Sequence, residues 1–292
     1  MDISWDIYRT FLSVLTEGSL SGAARALGLA QPTVGRHMDA LEDAVGYQLF
    51  TRSQHGLTPT EAARTLEPYA VAMLSSAAAL KRAASAQGDT LSGTVRISAS
   101  EIIGVRVLPP ILSDLHHRHQ DIAIELSLSN APADMLRRDA DIAVRMFEPK
   151  QEALVVQKVG IITLGLYARA DYLERYGTPL TARDLRDHST VGYDTETAAI
   201  RAMKQRLPDL DIDFTFRSDS DVAQLSMIEA GFGIGFCQTG LAYHSGLVRV
   251  VPGLTLTLPT YVVMHENLKS TPRCRVMFDA LVDGLKTYAA NS

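Results

Sequence analysis

Three short amphipathic helix patterns follow one another in the first sixty residues. In the first of them, Ile7, Phe11 and Val14 recur at the spacing of one helix face. Each pattern is ended by a glycine, which is favoured just past a helix because it adopts left-handed backbone angles: Gly18, Gly28 and Gly46. The sequence therefore predicts three short helices, of which the second and third are joined by a tight turn.

The third helix is predicted to begin at Gln31-Pro32 and to carry Val34, Met38 and Leu41 on its apolar face. A helix, a tight turn and a second helix with a polar, basic exposed side form a helix-turn-helix, whose second helix lies in the major groove of DNA. Gln pairs with adenine and Arg with guanine through two hydrogen bonds each. The candidates for DNA contact on this helix are Gln31, Thr33, Arg36 and His37.

A short strand pair is predicted directly after the helices. Leu49–Arg52 and Leu57–Pro59 flank the turn Gln54-His55-Gly56. Arg52 and His55 lie on this wing, where we expect contact with phosphate or with the minor groove. Residues 1–58 are therefore expected to form a winged helix-turn-helix domain that binds double-stranded promoter DNA.

The charge of this segment does not by itself favour DNA binding. Residues 1–58 hold four arginines and six acidic residues, a net charge of −2, and the whole chain carries −5. DNA binding must therefore depend on where the charges lie. Asp39, Glu42 and Asp43 fall toward the far end of the third helix, so they need not face the groove. We expect modest non-specific affinity, and a helical module for protein contacts is the alternative.

A long helix is predicted over residues 59–88. Its apolar positions alternate at spacings of four and three: Leu66, Ala70, Met73, Ala77, Leu80 and Ala84. This heptad seam favours association with the same helix of a second copy, as a homodimer or homotetramer. A helix lying on its own domain is the alternative. Pro68 is expected to loosen or kink the first turns.

The rest of the chain, residues 93–292, alternates short apolar runs with helical ones. Such alternation predicts βαβ units with helices over a parallel sheet. Its later strands are predicted at Leu164–Ala168, Leu247–Val250 and Tyr261–His265. The chain has no run of eighteen apolar residues and no signal peptide, so we expect a cytoplasmic protein without a membrane partner.

Several motifs of the first sixty positions also form one continuous set. They are Phe11-Leu12-Ser13-Val14, Glu17-Gly18-Ser19-Leu20, Ala23-Ala24-Arg25-Ala26-Leu27, Gln31-Pro32-Thr33-Val34-Gly35-Arg36, Leu41-Glu42, Leu49-Phe50-Thr51-Arg52 and Leu57-Thr58-Pro59-Thr60. This set resembles the N-terminal domain of LysR-type transcriptional regulators. The resemblance implies DNA contacts by Gln31, Pro32, Arg36 and Arg52. The chain departs from the family at Gly35, where Ser is usual, and at Gly22, where a larger residue is common.

Looser matches continue to the end of the chain: Gly93-Thr94-Val95-Arg96-Ile97, Leu108-Pro109-Pro110, Asp141–Arg145, Asp171-Tyr172-Leu173 and Ala230–Gly235. They are similar to the second domain of the same family, which looks like a periplasmic binding protein. The resemblance implies two α/β lobes with a ligand cleft between them, one at about 93–161 plus 267–292 and the other at about 162–266. The α+β multidomain chain would then sense a small effector and alter its contact with a promoter.

Polar residues that follow predicted strands are the candidates for effector binding, because helix N-termini present free N–H groups there. They are Ser98, Ser100, Glu101, Ser129, Asn130, Arg145, Thr195, Thr197, Ser218, Asp219 and His265. We expect Arg145 to clamp a carboxylate, and hence a small anionic metabolite as effector. Glu101 would select an amine or repel a second carboxylate. A helix cap is the alternative role for each Ser or Asp, and a surface ion pair for Arg145.

Other chemistries find little support in the sequence. His116, His117 and His119 have no acidic or thiol partner at metal-binding spacing, so we expect no metal and no cofactor. Cys237 and Cys274 form neither a disulfide framework nor a zinc motif, and a redox switch stays an alternative. No activated-nucleophile motif occurs, so no catalytic residue is assigned and the chain is not expected to be an enzyme. An enzyme or solute-binding protein with an N-terminal assembly module is the remaining alternative.

Overall fold

The computed structural model describes residues 3–53, 56–84, 91–130, 140–149, 154–207 and 212–292. These residues form two compact units, one that ends at Ala84 and one that holds the rest of the described chain. The apolar residues of the first unit form a core cluster of their own.

The first unit contains the three short helices and the wing that the sequence predicts. Its elements are α1 Trp5–Glu17, α2 Leu20–Leu27, α3 Gln31–Val45, β1 Phe50–Ser53, β2 Gly56–Pro59 and α4 Glu61–Ala84. The Ser19 hydroxyl accepts a hydrogen bond from the Gly22 N–H at 3.0 Å and caps α2. Ser4 precedes α1 without a side-chain hydrogen bond to it. The predicted winged helix-turn-helix is confirmed.

The wing is fastened to the turn between α1 and α2. The Leu57 N–H donates to the Gly18 carbonyl at 2.7 Å. At Gly56 the backbone has φ = +122°, and a Cβ there would lie 2.5 Å from the same carbonyl oxygen. Because neither the angle nor the space suits a side chain, glycine is required where the wing meets the helices.

Helix α4 changes character along its length. Its first turns join the core of the first unit, where Ala70 is buried and the partly buried Leu66 packs against the core. Further along, Met73 and Leu80 of the predicted seam are 39% and 72% exposed. The helix also continues through Pro68 to Ala84. The early part of the seam therefore packs on its own unit, and the later part offers apolar side chains to solvent.

The second unit is built on one mixed sheet. Its strands are β3 Gly93–Ala99, β4 Ile122–Leu128, β5 Ile142–Arg145, β6 Leu154–Ala168, β7 Thr190–Gly192, β8 Phe216–Arg217, β9 Ile234–Gln238 and β10 Val248–His265. Its helices are α5 Leu108–Arg118, α6 Ala170–Tyr176, α7 Ala198–Gln205, α8 Asp221–Glu229, α9 Thr239–His244 and α10 Pro272–Ala290. A π-helical turn, Ile103–Val107, precedes α5, and short 3-10 helices cover Ala182–Asp187 and Glu266–Leu268.

Two long strands join the two halves of this sheet. The described strands are ordered β4-β3-β5-β10-β6-β9-β7-β8. β10 runs antiparallel to β5 and β6, while the outer pairs β3–β4 and β7–β8 are parallel. The predicted two-lobe α/β architecture is confirmed, but the sheet is mixed where a parallel one was expected. The residue limits of the domains and lobes stay predictions.

In the described part of the chain, the apolar stretches of the helices are too short for a membrane span.

Candidate DNA-reading surface and effector cleft

Helix α3 exposes the residues that the sequence assigns to DNA contact. Gln31, Pro32 and Arg36 are exposed, while Val34 and Met38 on the opposite side are buried in the core of the first unit. An Arg36 guanidinium nitrogen donates to the Thr33 hydroxyl at 3.4 Å. The first two turns of α3 therefore present a polar surface with one cation, which suits the edges of base pairs in a major groove.

His37 is tied to the body of the unit. Its Nδ1 lies 2.8 Å from the hydroxyl of Thr10, which is buried in α1 and also donates to the Asp6 carbonyl at 2.7 Å. A hydroxyl has one proton, so with that proton on the Asp6 carbonyl the His37 Nδ1–H must donate to Thr10. Nε2 is then left to contact DNA, and as an acceptor in the neutral ring it can meet an amino group of a base but not a phosphate oxygen, which is itself an acceptor.

Of the acidic residues on α3, Glu42 has a structural role. Its Oε1 accepts hydrogen bonds from the backbone N–H groups of Leu49 at 2.6 Å and Phe50 at 3.2 Å, at the start of the wing. Asp39 and Asp43, by contrast, are exposed. Glu42 is therefore held at the wing, while the expectation that Asp39 and Asp43 need not face the groove stays a prediction.

The wing carries one described candidate. Arg52 is exposed on β1 and pairs with Leu57 of β2. His55, the other candidate on the wing, lies outside the described residues.

The two glycines that depart from the family pattern differ in their surroundings, and we expect opposite effects on stability. At Gly35 a Cβ would have only Leu20 Cδ1 nearby, at 4.0 Å. Gly35→Ala should therefore raise the free energy of unfolding of the first unit by about 1 kcal/mol. At Gly22 a Cβ would lie 2.8 Å from Ser19 Oγ and 2.9 Å from Glu17 Cβ, so Gly22→Ala should disturb the α2 cap and lower stability.

Urea unfolding followed by fluorescence measures the change in the free energy of unfolding for both variants. The chain has a single tryptophan, Trp5, which lies in α1 and reports on the first unit. Equal shifts of the urea midpoint in Gly35→Ala and Gly22→Ala would contradict the difference between the two sites.

In the second unit, a cleft of about 570 Å³ lies where β3 and β4 end and α8 begins. It is lined by Glu101, Val105, Leu128, Ser129, Asn130, Asp219, Ser220, Val222 and Ala223. Four of the predicted effector residues, Glu101, Ser129, Asn130 and Asp219, are thus brought together from distant parts of the sequence. The apolar lining residues were not predicted, because apolar side chains beside a cleft follow the same pattern as those of a core.

The Glu101 carboxylate closes one side of this cleft. Its two oxygens accept hydrogen bonds from the Ser220 hydroxyl at 3.0 and 2.9 Å, and one accepts from the Val222 N–H at 3.4 Å. The Glu101 N–H donates to Asn130 Oδ1 at 3.0 Å. Because these contacts lie at the start of α8, Glu101 occupies a helix N-terminus, the place that favours an anion.

Two further carboxylates lie at the start of α8. Asp219 accepts from the Thr195 hydroxyl at 2.6 Å and the Thr195 N–H at 2.9 Å, and these hydrogen bonds lower its pKa. Burial raises the pKa of Asp221, and the charge of Glu101 raises it further, although Asp221 accepts from the Tyr193 hydroxyl at 2.6 Å. Burial likewise raises the pKa of Tyr193, so Tyr193 stays a donor. The described cleft is therefore acidic.

Arg145 lies beneath the surface instead of lining the cleft. It is 4% exposed and donates to the Ser98 carbonyl at 3.2 Å, the Ser98 hydroxyl at 3.3 Å and the Val144 carbonyl at 2.9 Å. Burial lowers the pKa of Arg145 to about 10, which still leaves a cation at neutral pH. These contacts tie β5 to β3, and the role of Arg145 as a carboxylate clamp stays a prediction.

Three of the remaining effector candidates have local contacts. Thr197 caps α7 by accepting from the Ile200 N–H at 3.2 Å, and the Ser218 hydroxyl accepts from the Ser220 N–H at 3.2 Å. His265 Nδ1 accepts from the Asn267 N–H at 3.3 Å. The Ser100 hydroxyl is buried and has no hydrogen-bond partner among the described residues. Thr197, Ser218 and His265 thus act as caps or turn contacts in this structure.

Among the described residues, the cysteines and the histidine cluster do not form a metal or disulfide site. Neither Cys237 nor Cys274 is in a disulfide, and both side chains are buried. Burial raises the pKa of Cys237 to about 12. His117 Nδ1 lies 2.7 Å from the Ser113 carbonyl on α5, and the described residues hold no group of three or more His, Cys, Asp or Glu side chains arranged for a metal ion.

Comparison with known families assigns both units. The family described as bacterial regulatory helix-turn-helix protein, lysR family, matches residues 5–64. The LysR substrate binding domain matches residues 88–286, more than half of the chain. The chain belongs to the LysR family of transcriptional regulators. The first match covers the helix-turn-helix that holds α3, and the second covers the residues that line the acidic cleft.

Individual relatives agree with this LysR assignment. The HTH-type transcriptional regulator CrgA of Neisseria meningitidis is 25% identical over 285 residues, which cover 94% of this chain and 95% of that protein. A regulator of Xanthomonas campestris is 30% identical over 184 residues, or 62% of this chain. The chain spans 53% to 62% of the length of that regulator and two other curated relatives.

Solved structures show the same fold. Full-length AphB, the Vibrio cholerae virulence activator, superposes with a TM-score of 0.62 at 22% identity and covers 96% of this chain and 99% of AphB. CrgA superposes with a TM-score of 0.58 at 23% identity and covers 96% of this chain and 98% of CrgA.

Proposed function

We propose that this LysR-type regulator reads promoter DNA through α3 and changes that contact when a small molecule enters the acidic cleft. The observation that supports DNA reading best is the polar, solvent-exposed start of α3, where Gln31 and Arg36 project away from the buried face. A protein with this role acts in the cytoplasm, where the bacterial chromosome lies.

Two copies associate through α4 in this proposal, as a homodimer or a pair of homodimers. On α4, Tyr69, Met73, Leu74 and Leu80 are exposed apolar side chains. Exposed apolar residues in a row favour a partner helix. A symmetric dimer would present two copies of α3 to two half-sites on DNA.

The described cleft favours an effector with a positively charged, hydrogen-bond-donating group, such as an amine. Its lining contains Glu101 and Asp219 and no described Lys or Arg. The helix N-terminus that would attract an anion already holds the Glu101 carboxylate. The anionic effector expected from the sequence depended on Arg145, which is buried. We therefore propose a cation in place of that anion.

Binding to the DNA upstream of the chain's own coding region tests the first part. The full-length protein should bind that duplex more tightly than a scrambled duplex of equal length across a salt series. Equal affinity for both at every salt concentration would remove the proposed reading of sequence.

A paired ligand panel tests the effector class on the same complex. Butylamine and 1,4-diaminobutane are compared with butyrate and succinate, first by thermal shift and then by the footprint on DNA. A ligand changes the footprint only if it binds one quaternary state more tightly than the other. A response to the carboxylates alone would contradict the amine proposal and leave DNA reading intact.

A redox switch through the cysteines is the second candidate, and we expect it to fail. Both thiols are buried, and burial raises the pKa of Cys237, so Cys237 is not a reactive thiolate at neutral pH. A variant with Cys237→Ala and Cys274→Ala should show the same response of DNA binding to hydrogen peroxide as the wild type. If peroxide changes the DNA affinity of the wild type and not of the variant, the cysteines are the switch.

A further inference from the structure

An unpaired acid lies beside Arg36 on the surface of α3. Asp39 is exposed, and it makes no hydrogen bond or ion pair with any described residue. Arg36 is three positions earlier, so the two side chains are separated by about 4.5 Å along the helix axis and by roughly 60° around it. Asp39 therefore shares the outward side of α3 with Arg36, away from the buried Val34 and Met38.

An acid at this place cannot act as the other polar residues of α3 do. A carboxylate is repelled by phosphate groups, so it stabilises a DNA complex only where it meets a donor. In the major groove the donors are the amino groups of cytosine and adenine. The adenine amino group stands beside N7, which is an acceptor, whereas cytosine offers no acceptor in the groove. Cytosine is thus the base that a carboxylate selects.

We propose that Asp39 is a specificity-determining residue that accepts a hydrogen bond from the amino group of a cytosine, one base pair away from the guanine contacted by Arg36. This inference rests on the proposed reading of DNA through α3. The rise of about 4.5 Å between the two residues is close to the base-pair step of about 3.4 Å. The carboxylate also weakens binding to duplexes that lack this cytosine, because it then faces acceptors and phosphates.

Asp43 serves as the matched control on the same helix. It is exposed, carries the same charge and lies on the same side as Arg36. It is seven positions beyond Arg36, about 10.5 Å further along the axis, where a helix that enters the groove by its N-terminal turns has left the bases. Asp43→Asn therefore removes one negative charge from the same surface without removing a base contact.

The test measures the affinity of full-length wild type, Asp39→Asn and Asp43→Asn for the upstream duplex and for every single base-pair substitution within its footprint. Wild type should prefer cytosine at one base pair by about fivefold or more. In Asp39→Asn that preference should shift to adenine, the base that Asn pairs with, at that base pair alone. Asp43→Asn should keep the preference for cytosine and bind all duplexes slightly more tightly.

Two results would overturn the proposal. If Asp39→Asn and Asp43→Asn raise the affinity for all duplexes equally, Asp39 acts only as a charge. If the wild type prefers a G·C pair only where Arg36→Ala loses its guanine preference, there is no separate cytosine contact to explain. Arg36→Ala in the same set distinguishes the proposed reading of DNA through α3 from the proposed role of Asp39. If this variant loses the preference for guanine, α3 reads DNA even when Asp39 makes no base contact.

Discussion

Replacing Arg36 with alanine should abolish most of the preference of this LysR regulator for its operator. Arg36 is the one cation of α3, it is exposed on the first two turns, and its described polar contact is a long hydrogen bond to Thr33 at 3.4 Å. Its guanidinium is therefore available to pair with guanine O6 and N7. Loss of such a bidentate contact costs about 1–3 kcal/mol, or roughly 5–150-fold in affinity. Direct titration of the upstream duplex against a scrambled duplex measures the loss.

A second arginine, Arg9, provides a control that distinguishes the loss of a base contact from the loss of a positive charge. Arg9 is exposed on α1, so Arg9→Ala removes the same charge from the same unit. A purely electrostatic contribution weakens the binding of every duplex and reduces the dependence on salt. Arg36→Ala should instead weaken the operator far more than the scrambled duplex. If both variants lower both affinities alike, α3 does not read the sequence.

Replacing Arg145 with alanine should strongly lower the stability of the second unit. The change leaves the Ser98 carbonyl and hydroxyl without these donors and opens a cavity in a place that is 4% exposed. A buried polar group without a partner costs about 1–3 kcal/mol, and truncation of a large buried side chain adds to this. We expect a loss of about 3–5 kcal/mol, comparable to removal of one partner from a buried ion pair.

Urea unfolding followed by far-UV circular dichroism measures this loss against two controls. Arg183 is exposed, so Arg183→Ala should change stability by less than about 0.5 kcal/mol. Ser98→Ala removes only the hydroxyl acceptor and should cost about 1 kcal/mol. An Arg145→Ala variant that is as stable as the wild type but fails to respond to an effector would restore the ligand clamp that the sequence suggests.

Local features of the sequence decide the first unit almost completely. A proline in the first turn, a capping Ser19 and a glycine after each helix act on their nearest neighbours, so they fix helix ends without reference to the rest of the fold. The exposed face of α3 follows in the same way. Because an α-helix has 3.6 residues per turn, Val34 and Arg36, which are two positions apart, lie on opposite sides wherever the helix lies. The contact of His37 with Thr10 is different, because it depends on how α1 and α3 pack.

The long strands of the second unit show the limit of such local patterns. The sequence predicts short strands at Leu247–Val250 and Tyr261–His265, yet the structure joins them in β10, with an irregular register between Val250 and Thr255. Val251 there has φ = +45°, and Pro252-Gly253 follows, which is typical of a turn. Pairing with β6 over most of its length holds β10 together, and such pairing is not visible in a window of neighbouring residues.

The charged groups that line the cleft of the second unit depend on tertiary structure for the same reason. The sequence alone determined that polar residues follow the strands, and it named Glu101 and Asp219 among them. It could not determine that Arg145 is buried and donates to Ser98, or that Glu101 accepts from Ser220 across 119 positions of chain. The secondary structure and the exposed face of α3 arise from interactions within a few residues. Burial and the charge of the cleft arise only when distant segments pack, and packing decides which charged groups a ligand meets.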